Sequence, residues 1–149
     1  MKVAVICSNG KAGKMIAAEA LAAGLDVTGF ARGENKSAAQ KFVKKDLFAL
    51  TKEDLAGFDV VVDAFGAWTA ETVAQIADAA KHLCKLLDGT KARLVVVGGA
   101  GSLYVNKEHT VTVADTPDFP DSYKPVAAAH QEALDFLRTQ NGVLWPYIG

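Results

Sequence analysis

The stretch VAVICSNGKAGK, residues 3–14, decides how the rest of the chain is read. Its first four residues, 3–6, form a continuous, mostly β-branched apolar run, the pattern of a strand buried on both faces. Residues 7–10 are small and turn-forming, and Lys11 opens an alanine-rich, helix-favouring stretch. A strand, a tight turn and a helix in that order aim the unpaired N–H groups of the helix start at whatever sits above the strand. A Walker-type loop needs a glycine where Ser8 stands and a Ser or Thr where Met15 stands, so that reading is set low. Gly10 and Gly13 do match the last two glycines of a G-x-x-G-x-x-G dinucleotide loop. In that reading Gly10 lets the backbone approach a pyrophosphate and Gly13 lets the helix pack against the strand. The N–H groups of Gly10, Lys11 and Ala12 face the phosphates, and Asn9 caps the helix. Cys7 replaces the first glycine, which the turn tolerates if its backbone angles stay in the β region. A plain turn that binds nothing fits the same two glycines.

Outward from this loop, apolar runs alternate with helical stretches. Strands are expected at 3–6, 27–31, 42–46, within DVVVDAFG (59–66), within RLVVVGG (93–99) and within VLWPYI (143–148). Pro146 cannot donate to a ladder, which sends the last of these to a sheet edge. Helices are expected at 11–23 with Gly24 after it, at 34–42, at 69–87 between Thr69 and Gly89, and from Pro125 to Arg138. TKEDL (51–55) reads as a near capping box and one helical turn, and TVTVA (110–114) as a hairpin strand in a long loop. Wholly apolar strands alternating with helices mean a parallel sheet covered on both sides: an α/β, three-layer, doubly wound sheet of about six strands. Such sheets bind ligands outside the carboxyl ends of their strands.

Bulk composition narrows the partners. The chain has 149 residues, 50% hydrophobic and 22% charged, with 16 basic against 17 acidic side chains and a formal net charge of −1. That is a single globular domain with no basic excess for nucleic acid or an anionic membrane. No run of about 18 apolar residues offers a membrane span, and the N-terminus lacks a signal-peptide layout. Two cysteines make neither a metal spacing nor a redox pair, so a reduced, cytoplasmic setting and no metal are expected.

The strand ends hold the candidate ligand groups. Arg32 stands where a carboxylate would grip the ribose 2′-hydroxyl of NAD, and an arginine there suits the 2′-phosphate of NADP. A solvated surface arginine is the plain alternative. Asp46 is placed to accept from an adenine amino group or, alternatively, to cap the residues after it. Asp63, inside an apolar run, reads as a ligand group or as a buried carboxylate accepting from nearby backbone N–H groups. GGAGS (98–102), with Gly99, frees the backbone for close approach or simply turns. Cys7 at a helix start could be a reactive thiol, ranked below a structural one.

CSNGKAGK, FAR, KKDLF, VVDAFGAW, RLVVVGGAGSLYV, DTPDFPDSYKP and AHQEALDFLR together resemble the NmrA-like, atypical short-chain dehydrogenase family, in the branch of NADH-flavin reductases. The likeness runs through nearly the whole chain. It implies an NAD(P)-binding Rossmann fold in which Gly10, Lys11, Ala12, Arg32, Asp46, Ala64, Phe65 and Gly66 contact the cofactor. It implies that Ser102 sits by the nicotinamide and that His130 sits near the substrate pocket, as the two candidate catalytic residues; a turn serine and a surface histidine are the plain alternatives. Three departures stand out: Cys7 for the first glycine, no Tyr-x-x-x-Lys pair because Ala127 follows Tyr123, and an end at Gly149 before the family's substrate-side segment. The expectation is therefore an NADP(H)-preferring reductase of a flat acceptor such as FMN or FAD, alone or as a homodimer. The alternative is a dinucleotide-binding sensor without turnover.

Overall fold

The computed structural model describes residues 1–67, 71–98, 106–117, 119–143 and 145–148. Its strands are β1 (Lys2–Ile6), β2 (Asp26–Ala31), β3 (Lys41–Lys44), β4 (Val60–Asp63), β5 (Arg93–Val97) and β6 (Tyr147–Ile148). Its helices are α1 (Lys11–Ala22), α2 (Gln75–Leu87) and α3 (Lys124–Leu137). The strands make one parallel sheet in the order β3-β2-β1-β4-β5-β6, with β1 at its centre. The chain steps outward from β1 to β3, then returns to β4 on β1's other side, so the order reverses between β1 and β4.

The period-two alternation of strand side chains sorts the core into two layers. Val3 and Val5 of β1, Val27 of β2 and Val62 of β4 pack with Ala17 of α1 on one face. Ala4 and Ile6 of β1, Phe30, Val61, Leu94 and Val96 pack with Leu83 and Leu87 of α2 and Leu137 of α3 on the other. Each of the larger of these side chains, fully buried, is worth about 1.5–3 kcal/mol, and both faces are used, which is why the strands read as unbroken apolar runs. This is the Rossmann-like, doubly wound arrangement expected from the sequence.

Several local expectations fail, each for a visible reason. No helix forms at 34–42. Asn35 accepts from the Ser37 N–H and hydroxyl and donates to the Ala39 carbonyl, so side chains take over the bonds a helix would make. The third strand is Lys41–Lys44, ending before Asp46. In TKEDL the reciprocal capping bonds exist, Thr51 N to Asp54 Oδ2 at 2.9 Å and Asp54 N to Thr51 Oγ1 at 3.4 Å. They close turns and no α-helix. A short 3₁₀ turn at Leu47–Ala49 precedes them. α2 begins at Gln75 because residues 72–76 are joined by i→i+3 bonds, Gln75 N to Thr72 O and Ile76 N to Val73 O; Thr69 lies outside the described residues. TVTVA is no hairpin strand: Asp115 accepts from the Thr112 N–H and hydroxyl and winds Val113–Asp115 into a 3₁₀ turn. The last strand is only two residues long, at the sheet edge, with Val96 N–H donating to the Pro146 carbonyl.

Candidate dinucleotide site

At the carboxyl ends of β1, β2, β4 and β5 lies a cleft of about 620 Å³. Its floor is the loop after β1. Cys7 and Ser8 N–H both donate to the Phe30 carbonyl, at 2.8 and 3.2 Å, which hooks the loop over β2. Gly10 N–H donates back to the Cys7 carbonyl at 3.1 Å, closing a tight turn, and Lys14 N–H donates to the Gly10 carbonyl as α1 starts. The Gly10 amide is thus spent inside the loop and does not face a phosphate, contrary to expectation. The Lys11 and Ala12 amides make no hydrogen bond among the described residues and sit at the positive end of α1. Gly13 lies beneath them. A Cβ there would stand on the Cys7 carbonyl oxygen and 2.9 Å from the Ser8 Cα, so only glycine lets α1 pack this close.

Two further expectations about this loop are corrected. Asn9 does not cap α1: Gly10 is the N-cap, with no side-chain cap bond, and the Asn9 amide bonds the segment after β2 instead. Cys7 does not stay in the β region. Its φ is +64°, the left-handed conformation that costs a residue with a Cβ about 1–2 kcal/mol. Glycine there removes that strain but loses the packed thiol and adds unfolded-chain entropy, so Cys7→Gly should melt within about 1 kcal/mol of the parent. Cys7→Val should lose roughly 2 kcal/mol or more, because β-branching is poorly accommodated at positive φ. Urea melts of the two variants check this, and a valine variant as stable as the parent would contradict it. Burial, with the Asp63 charge adding to it, pushes the Cys7 thiol up to about 12, so it is a protonated, structural thiol and not a nucleophile.

The cleft walls come from the other strand ends. Arg32 and Gly33 follow β2, and the Arg32 side chain is 82% exposed with Nε 3.9 Å from Asp46 Oδ2. A pair so open to water is weak and leaves the guanidinium available to a better anion. Asp46 takes the capping role: its Oδ1 accepts the Phe48 N–H at 2.8 Å. It still lines the cleft, as do Ala64, Phe65 and Gly66 after β4. Asp63, below them, accepts the Phe65 N–H at 3.0 Å and so fixes the turn of that wall. It is wholly buried, and desolvation pushes its carboxyl up to about 7.

At the far end stand Val97, Gly98 and His130 of α3. His130 is only 8% exposed, and burial holds its pKa below the usual imidazole range, so it is neutral at pH 7. No hydrogen bond to its ring is found among the described residues. Ser102 and Gly99 lie outside the described residues. Among those described, no cluster of His, Cys, Asp and Glu could hold a metal ion, and no helix is long and apolar enough to cross a membrane.

Among the lining residues that sequence reasoning missed are Lys45, Phe48 and Gln75. Phe48 is 40% exposed and packs edge-on against Phe65 with ring centroids 6.2 Å apart, giving this end of the cleft an aromatic wall. The signal was the KKDLF run itself: an aromatic two residues past Asp46 in a turn has no core to enter.

A family model described as NAD(P)H-binding matches residues 8–148. The uncharacterized protein YwnB of Bacillus subtilis strain 168 is 39% identical over 151 residues, covering 99% of this chain and 70% of its own. A crystal structure from Streptococcus pneumoniae TIGR4, titled "a putative NADH-flavin reductase", is 50% identical with a TM-score of 0.96, over 99% of this chain and 70% of that one. A Lactobacillus casei structure is 28% identical with a TM-score of 0.85, over 99% of this chain and 72% of that one.

Proposed function

Because this chain belongs to the NAD(P)H-binding family, we propose that it is an NADPH-dependent reductase of a flat acceptor, with a flavin such as FMN or FAD as the acceptor. The observation that carries this reading is the cleft that joins Arg32 to His130 across the Lys11 and Ala12 amides, which make no hydrogen bond among the described residues. The fit to a dinucleotide rests on those amides and on the close approach that Gly13 permits. The likeness to the Streptococcus pneumoniae protein supports a flavin as acceptor.

Each residue then has a task. The Lys11 and Ala12 amides bind the pyrophosphate at the α1 terminus. Arg32 leaves its weak pair with Asp46 and binds a ribose 2′-phosphate, a charge-assisted contact. Asp46 and the Phe48 ring receive the adenine, one by its free Oδ2 and the other by its face. Ala64–Gly66, held by Asp63, bracket the middle of the molecule. His130, neutral and with no ring hydrogen bond among the described residues, supplies a hydrogen bond to the nicotinamide or acceptor end, to which the family resemblance also assigns Ser102, with Gly99 in the same GGAGS stretch. When bound, the reduced nicotinamide supplies the hydride. A flavin acceptor asks little proton transfer of the protein, which accords with the absence of a Tyr-x-x-x-Lys pair.

The cofactor half is tested by titration with NADPH and NADH, followed by protein fluorescence. NADPH is expected to bind at least about tenfold more tightly, the worth of ~1.4 kcal/mol for one charge-assisted contact. In Arg32→Ala most of that ratio should vanish while NADH affinity is kept. Equal affinities in the parent protein would refute the role given to Arg32.

A further inference from the structure

We propose that Asn9 is a positioning residue that fixes the β2 loop, and with it Arg32, so that the site discriminates a 2′-phosphate from a 2′-hydroxyl. The proposal rests on the NADPH reading above. Asn9 lies in the turn between β1 and α1, yet its side chain makes no bond within that turn. Its Nδ2 donates to the Glu34 carbonyl at 2.7 Å, and its Oδ1 accepts the Lys36 N–H at 2.7 Å. An amide can do both at once because one end donates and the other accepts.

The clasped segment is braced elsewhere but not near Arg32. Asn35 folds it on itself through Ser37 and Ala39, and the Glu34 carboxylate reaches Lys44 of β3 at 2.8 Å. Between Arg32 and this braced piece is Gly33, whose missing side chain would meet nothing within 4 Å. The joint next to Arg32 is therefore free to swing unless the far side is held. Asn9 holds it against the loop that binds the pyrophosphate, so beyond the backbone hook at Phe30 one side chain ties the Arg32 segment to that loop. The phosphate loop does not depend on that side chain. Its turn and its hook over β2 are made by backbone groups of Cys7, Ser8, Gly10 and Phe30. Removing the Asn9 amide should thus leave pyrophosphate binding in place and cost the ordering of Arg32, which the 2′-phosphate must then supply.

The test compares NADPH and NADH dissociation constants in the parent, Asn9→Ala and Asn9→Ser, with ADP-ribose as a ligand that keeps the adenine and pyrophosphate but lacks the 2′-phosphate. The NADPH-over-NADH ratio should fall by about tenfold in Asn9→Ala, equivalent to ~1.4 kcal/mol. ADP-ribose and NADH should change by less than about threefold, on the order of half that energy. Asn9→Ser is neutral and keeps one hydroxyl, which can pair with at most one of the Lys36 N–H and the Glu34 carbonyl, so it is a milder change should the alanine variant fail to fold. With no added charge, its NADPH-over-NADH ratio reads the clasp directly and should be intermediate. An unchanged ratio in both variants, or NADPH, NADH and ADP-ribose all weakened equally in Asn9→Ala, would overturn the proposal. A parent protein without a preference would fail the Arg32 reading first, before any Asn9 variant is compared, and would take this proposal with it.

Discussion

Gly13→Ala should be among the most damaging single changes in the chain. The added methyl meets the Cys7 carbonyl and the Ser8 Cα, which are backbone atoms and cannot rotate away. Relief requires α1 to lift or the loop to move off β2, where Cys7 and Ser8 are both bonded to the Phe30 carbonyl. Overpacking of this kind costs about 1–3 kcal/mol, and here the atoms that must shift carry the phosphate-facing amides. The expected result is a melting free energy lower by about 2 kcal/mol, and an NADPH affinity lower by at least about tenfold in whatever remains folded. Urea melts and titration check both. A variant that melts and binds like the parent would show that α1 is not seated as described.

The second large effect concerns Asp63. Desolvation pushes its carboxyl up to about 7, against 3.8 in an ordinary setting, and outweighs the hydrogen bond it accepts from the Phe65 N–H. The folded state therefore holds a proton that the unfolded chain has already released at intermediate pH. Stability from this group is complete below about pH 4, is lost steadily toward pH 7, and stays lost above it. At about 1.4 kcal/mol for each unit, the full loss is roughly 4 kcal/mol. Asp63→Asn keeps an acceptor for Phe65 and carries no charge, but it buries an amide NH₂ at a cost of about 1–3 kcal/mol if unpaired. At pH 8 the variant should be more stable by about 1–3 kcal/mol, and its stability should lack the decline between pH 4 and 7 that Asp63 gives the parent. Melts across that range are decisive. A parent without the decline, or a variant less stable than it at pH 8, would mean that the carboxylate is better solvated than its burial implies.

The parts of the fold that could be read from the sequence are those decided by local burial. β1, β2, β4 and β5 are unbroken apolar runs because helices cover both faces, and α1 and α3 carry their own stops and starts in Gly24 and Pro125. The candidate site follows from the same logic: Arg32, Asp46 and Ala64–Gly66 are legible because each lies just past the carboxyl end of a strand. What could not be read depends on partners far away in sequence. Asn9 is a good cap by residue type, but the carbonyl and amide that claim it are 25 and 27 residues away. Glu34 to Ala39 has helical composition, and side-chain bonds from Asn35 and Ser37 undo it. The positive φ of Cys7 has no signal in a residue type that seldom adopts it. His130 on its helix looked like a surface residue by default; packing beside the cleft makes it buried and neutral.

One measurement tests the proposed activity most directly: NADPH oxidation by the purified protein, followed by absorbance with and without added FMN, and repeated with NADH. Oxidation that depends on FMN, saturates in NADPH and runs faster with NADPH than with NADH is the predicted result. NADPH bound tightly in the titration but oxidised no faster with FMN than without would contradict it, and would make the chain a dinucleotide-binding sensor.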